Sequence, residues 1–164
     1  MSPAVRANLF DASALVKVHV DEPGSEIVRP YFNGEPTKYT TPFCFYEALN
    51  VLKSKWLYKG KLTKEQYLGA AFRLTAWYGA SSRHISDLDF TGIGVFPDAK
   101  RLVERTSLDL SDAFQILSLK QGYFSRLSGE STTILVTADK TLAEAARGED
   151  LRVWYFMEEP PPYG

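Results

Sequence analysis

Two short apolar runs, Val5 to Phe10 and Thr132 to Thr137, constrain this chain more than any other feature. Val5 to Phe10 is apolar-rich, and Ile134-Leu135-Val136 is unbroken. A strand wetted on one face shows period-two spacing, so runs without it belong to strands covered on both faces. Each run gives way to a helical pattern, at Asp11-Ala12-Ser13-Ala14-Leu15-Val16-Lys17 and from about Asp139 to Ala146, and Arg152 to Phe156 supplies a last strand. Strand followed by helix, repeated, predicts a mainly parallel sheet with helices on both faces, an α/β sandwich.

The middle of the chain reads as helices. After the Pro23-Gly24 turn, Ser25 to Phe32 forms a short helix ending at Asn33-Gly34, and Lys38 to Thr41 is briefly extended. Thr41-Pro42 opens a helix to about Tyr58, with a hydroxyl cap and proline at the first helical position. Thr63 and Gln66 form a capping box before a helix that continues to Trp77, so residues 42–78 make a helical hairpin. Arg83 to Leu88 reads as extended, Pro97 to Arg105 and Asp109 to Gln121 as helical, and 89–96 stays unassigned. Glu158 to Gly164, rich in proline, is expected to be a frayed, solvated tail after a single domain over 1–157.

A length of 164 residues suits one core, and an apolar share of 45% fills it. The formal charge of -1 leaves no global attraction for polyanions, so any nucleic-acid contact must be local. A lone cysteine, Cys44, excludes an intrachain disulfide framework and a cysteine-based zinc knuckle, and reads as inert packing. No window approaches the ~18 apolar residues of a membrane span, and the start lacks a signal-peptide stretch, so a soluble, cytoplasmic protein is expected.

Parallel strands end on one rim, which brings Asp11 and Asp139 to the same edge. Each alone reads first as a helix cap. Asp112 has the same plain explanation in the first turn of a helix capped by Asp109. Glu47 lies more than a turn inside its helix with no basic residue three or four positions away, so it either faces solvent or meets a tertiary partner or a metal.

Taken together, Asn8-Leu9-Phe10-Asp11-Ala12-Ser13-Ala14-Leu15-Val16-Lys17, then Glu47-Ala48-Leu49, Leu110-Ser111-Asp112-Ala113 and Val136-Thr137-Ala138-Asp139 resemble the PIN-domain family. The likeness is especially to the VapC-type toxin ribonucleases of type II toxin–antitoxin systems, and it covers about Val5 to Phe156. It implies a PIN-like α/β/α sandwich and a metal-dependent nuclease with an acidic pocket at Asp11, Glu47, Asp112 and Asp139, supported by the hydroxyls of Ser13 and Thr137. It also implies an RNA substrate, a cognate antitoxin and a homodimer. The Gly92-Ile93-Gly94-Val95 segment and the proline-rich tail depart from the plain pattern.

Carboxylates without histidine or thiolate suit Mg²⁺ or Mn²⁺, and His19 and His84 fit no ligand spacing. Two carboxylates ~5 Å apart at an effective dielectric near 20 repel by roughly 3 kcal/mol, which a divalent cation relieves. Lys53, Lys55, Lys59, Lys61 and Lys64 read first as a solvated helix end and second as a phosphate patch. Phe43, Phe45, Tyr46, Trp56 and Tyr58 read as core or interface packing ahead of a base-stacking platform. A non-catalytic RNA-binding or protein-interaction module is the competing class. A phosphoacceptor domain wants a second acid near Asp11, which is absent.

Overall fold

The computed structural model describes residues 6–85, 88–126 and 133–162. The two apolar runs pair with each other: β1 (Ala7–Phe10) lies parallel to β3 (Thr133–Thr137), with Leu9 opposite Leu135 and Phe10 opposite Val136. β2 (Lys38–Tyr39) joins the outer side of β1 and β4 (Arg152–Tyr155) the outer side of β3, giving a four-stranded parallel sheet in the order β2-β1-β3-β4. Every residue of β1 and β3 is buried, as strands covered on both faces require, and the polar Asn8, Thr133 and Thr137 are buried with the apolar residues.

Seven helices cover the sheet among the described residues: α1 (Ala12–His19), α2 (Ser25–Gly34), α3 (Pro42–Leu57), α4 (Lys64–Ala80), α5 (Val95–Arg105), α6 (Leu110–Gln121) and α7 (Lys140–Gly148). Phe10, Ile134, Val136 and Trp154 face a core built with α1, α2, α3 and α4. Leu9, Leu135 and Val153 face a second core built with α5, α6 and α7. Alternation along each strand therefore feeds two apolar layers, and the molecule is the expected α/β/α sandwich.

The hairpin of α3 and α4 is held by two stacked aromatic pairs, Phe45 on Tyr78 at 4.1 Å and Trp56 on Tyr67 at 5.1 Å between ring centres. Phe43 stacks on Phe114 at 4.8 Å. Packing accounts for Phe45 and Trp56 and in part for Phe43, which stays partly exposed, while Tyr46 and Tyr58, expected to pack too, are exposed. Thr41 caps α3 by accepting from the Cys44 amide, and the Thr63–Gln66 capping box opens α4, which runs on through Gly79. Gly24 adopts φ 97°, where a Cβ would stand 2.7 Å from Met157 Sδ.

Three local expectations are corrected. Arg83 was expected within an extended run, but Ser82–His84 is a 3₁₀ turn in which the Ser82 hydroxyl bonds the amide and carbonyl of Thr40, tying the chain to the sheet edge; residues 86–87 lie outside the described set. Helix α5 starts at Val95, two residues before Pro97, after a turn in which the Asp89 carboxylate accepts from the Thr91 amide. The tail does not fray at Glu158: Glu159 folds back, its carboxylate pairing with Arg147 and accepting from the Tyr155 amide, while its carbonyl accepts from Trp154 Nε1. Val5, Thr132, Tyr163 and Gly164 fall outside the described residues.

Candidate functional site

Asp11 and Asp139 follow adjacent parallel strands and stand on one rim. Both are helix caps, as each alone suggested: Asp11 Oδ1 accepts from the Ala14 amide at 2.8 Å and Asp139 Oδ1 from the Leu142 amide at 3.1 Å. Capping does not exhaust them. Ser13 Oγ donates to Asp11 Oδ1 at 2.7 Å, and Thr137 Oγ1 donates to Asp11 Oδ2. The same two hydroxyls accept from the next β3 loop, Ser13 Oγ from the Ala138 amide and Thr137 Oγ1 from the Asp139 amide, each at 2.9 Å. Ser13 and Thr137 thus tie the two aspartates together and fix both loops.

The other two acids come from α3 and α6. Ser111 Oγ donates to Glu47 Oε2 at 3.1 Å, so the tertiary partner of Glu47 is the residue just before Asp112. Asp112 sits in the first turn of α6 with Gln115 Nε2 donating to its Oδ1 at 3.2 Å, and its amide donates to the cap Asp109. The charges of the other three acids all act on Asp112. Burial pushes the Asp112 carboxyl up to about 7, and the charges of Asp109, Asp11, Asp139 and Glu47 push the same way. Burial lifts Asp11 to about 6 against hydrogen bonds from Thr137, Ser13 and Ala14, and Asp139 adds to the rise. Glu47 is raised by burial too, opposed by its bond from Ser111 and reinforced by Asp109 and Asp139. Cys44, one turn before Glu47, is a fully buried thiol pushed up to about 12, which fits inert packing.

The donor set suits a hard cation: carboxylate and hydroxyl oxygens, with no thiolate or imidazole among them. Among the described residues, no group of three or more acid, histidine or cysteine side chains is already arranged to grip an ion. Asp11 spends both oxygens on hydrogen bonds. The acids share a neighbourhood rather than a closed cage.

Two features lay beyond the sequence reading. Asp109, read as a cap alone, also contributes charge that raises Asp112 and Glu47. A cleft of about 540 Å³ leads from Glu47 and Asp139 to Lys17, Glu22 and Lys55. Its signal was helical spacing, because Lys17 lies one turn beyond Ser13 and Lys55 two turns beyond Glu47. Of the remaining lysines expected at a solvated helix end, Lys53, Lys59 and Lys61 are exposed, and Lys64 lies over the Trp56 ring. A larger cleft of about 780 Å³, between α1, α2 and α4, contains none of the four acids.

The family model of the PIN domain matches residues 9–148. That span holds Asp11, Ser13, Glu47, Asp112, Thr137 and Asp139. No curated protein matches the chain.

Proposed function

The chain belongs to the PIN domain family, whose members are generally nucleases that use divalent metals, and from that premise we propose that it is a Mg²⁺- or Mn²⁺-dependent endoribonuclease. The observation that carries the reading is that four separate segments bring four acids close enough for the charges of Asp11, Asp139 and Glu47 all to act on Asp112, beside the rim where two parallel strands end. Asp11, Glu47 and Asp112 would hold the ion directly or through water, with Asp139 as a further ligand or as the group that orients the attacking water. A divalent ion bound there supplies an activated water and neutralises charge on the phosphate and the leaving oxygen.

The chain's own part is positioning. Thr137 and Ser13 hold the Asp11 carboxylate from both sides, so it keeps its direction as charge moves nearby. Ser111 holds Glu47 toward α6. Partial burial of Asp112 on the α6 side makes its charged form costly without a positive charge beside it, while Glu47 on α3 stays open to solvent. The hydrolysis adds water across a phosphodiester P–O bond, and the departing oxygen takes up a proton.

We place the enzyme as the toxin of a type II toxin–antitoxin pair, a homodimer in the cytoplasm neutralised by a cognate antitoxin that covers the cleft. Among the described residues no helix is long and apolar enough to cross a membrane. The test is incubation of purified protein with single-stranded RNA and Mg²⁺ or Mn²⁺, followed by sequencing of the ends. Metal-dependent internal cuts that vanish in Asp11→Asn, with the fold intact, support the reading. RNA retained without cutting makes the protein a binding module instead.

A further inference from the structure

The cleft beside the acids carries cations that the proposed chemistry leaves unused. Its lining includes Glu47 and Asp139 together with Lys17, Glu22, Lys55 and Lys140. Lys17 Nζ donates to Glu22 Oε1 at 3.0 Å and to the Pro23 carbonyl at 2.8 Å, and Lys55 Nζ donates to Glu22 Oε2 at 2.7 Å. The three side chains are only 15%, 13% and 19% exposed, in contrast to the exposed Lys53, Lys59 and Lys61. Two ammoniums around one carboxylate leave one net positive charge in the wall of a cleft whose other wall is acidic. Lys140, at the start of α7, is more exposed and is paired loosely with Glu158 at 3.9 Å, so the charge rests mainly on Lys17 and Lys55. A phosphate chain lying against the acids is repelled by them, and needs positive charge close by on the same path.

We propose that Lys17 and Lys55 form the subsite for a phosphate flanking the scissile one on single-stranded RNA, an inference that rests on the ribonuclease reading. Glu22 holds the two ammoniums side by side and competes with the phosphate for them. Two separate helices supply the lysines, so the distance between them is set by α1 packing on α3 rather than by a flexible loop. This makes the site selective for a backbone phosphate at a fixed step from the reacting centre, without reading a base.

Binding of a short fluorescent single-stranded RNA to the metal-free protein across a salt series, beside Mn²⁺-dependent cleavage kinetics, tests the subsite. Lys55→Gln and Lys17→Gln each weaken binding roughly fivefold across sequences and lower the salt slope by about 0.7, and they raise KM with little change in kcat. Lys55→Arg keeps the charge and the salt slope. Glu22→Gln removes the competitor, so it tightens binding, whereas a purely structural tie predicts weaker binding or none of these changes. Unaltered affinity and slope in the folded lysine variants, or weaker binding in Glu22→Gln, overturns the subsite. If wild-type protein cleaves while the lysine variants match it throughout, the subsite alone falls and the ribonuclease reading stands. Wild-type protein that cleaves no RNA overturns both.

Discussion

Thr137 is fully buried and serves two acids at once, donating to Asp11 and accepting from the Asp139 amide. Thr137→Val keeps the shape and leaves both groups without that partner, so we expect a loss of about 1–3 kcal/mol in urea unfolding together with a large fall in cleavage rate. Unchanged stability would mean that the hydroxyl tie is replaceable. His19, at the end of α1, behaves in the opposite way from an exposed histidine. Burial, and then the charges of Arg73 and Arg29, lower it to about 4 from an ordinary value of 6.5. The unfolded chain therefore takes up the proton first. His19 leaves stability unchanged above pH 6.5 and reduces it as pH falls from 6.5 toward 4, by up to roughly 3 kcal/mol. His19→Leu should flatten that acid limb in chemical denaturation followed between pH 7 and 4, and an unaltered limb would assign it to other groups. Asp11 and Asp139 were legible singly only as helix caps at the ends of parallel strands, and the set of four acid motifs together marked them as more. The Ser111 bond to Glu47 was not legible, since it joins positions 64 apart and nothing along α3 announces it.

At the scale of elements, the turn at Gly24 is the tightest joint between α1 and α2. Its positive φ and the closeness of Met157 Sδ and Phe156 to the missing Cβ make Gly24→Ala costly, by more than about 1 kcal/mol. Pairing it with Met157→Ala should recover the part of the clash due to Met157 and leave the backbone part and the Phe156 contact, as thermal unfolding of the single and double variants will show; full recovery would locate the whole cost in the Met157 clash. The Thr63 cap of α4 is a smaller item, and Thr63→Ala should lower stability by about 1 kcal/mol in the same measurement. Elements carried by periodicity and caps, such as α3, α4 and β3, could be read from the chain. Residues near 83 could not, because the Ser82 turn is dictated by a long-range bond to Thr40. The start of α5 is hidden for a related reason: Pro97 is a good opening residue, and the turn at Asp89 that starts the helix earlier is set by a local bond to the Thr91 amide.

On the scale of the whole molecule, strand order decides where chemistry can occur. β1 and β3 are neighbours, so the ends that carry Asp11 and Asp139 meet, while α3 and α6, from opposite faces of the sheet, bring Glu47 and Asp112 toward the same edge. Alternating strands and helices made this architecture legible in advance, but the distances between the acids depend on how two helical layers close over the sheet. The concentration of carboxylates makes one measurement decisive, a titration of Mn²⁺ into the purified protein followed by the electron paramagnetic resonance of the free ion. Saturable binding is expected in the wild type, with a loss of at least roughly tenfold in affinity in both Asp11→Asn and Asp112→Asn if these carboxylates hold the ion. Equal Mn²⁺ affinity in all three folded proteins would contradict that role.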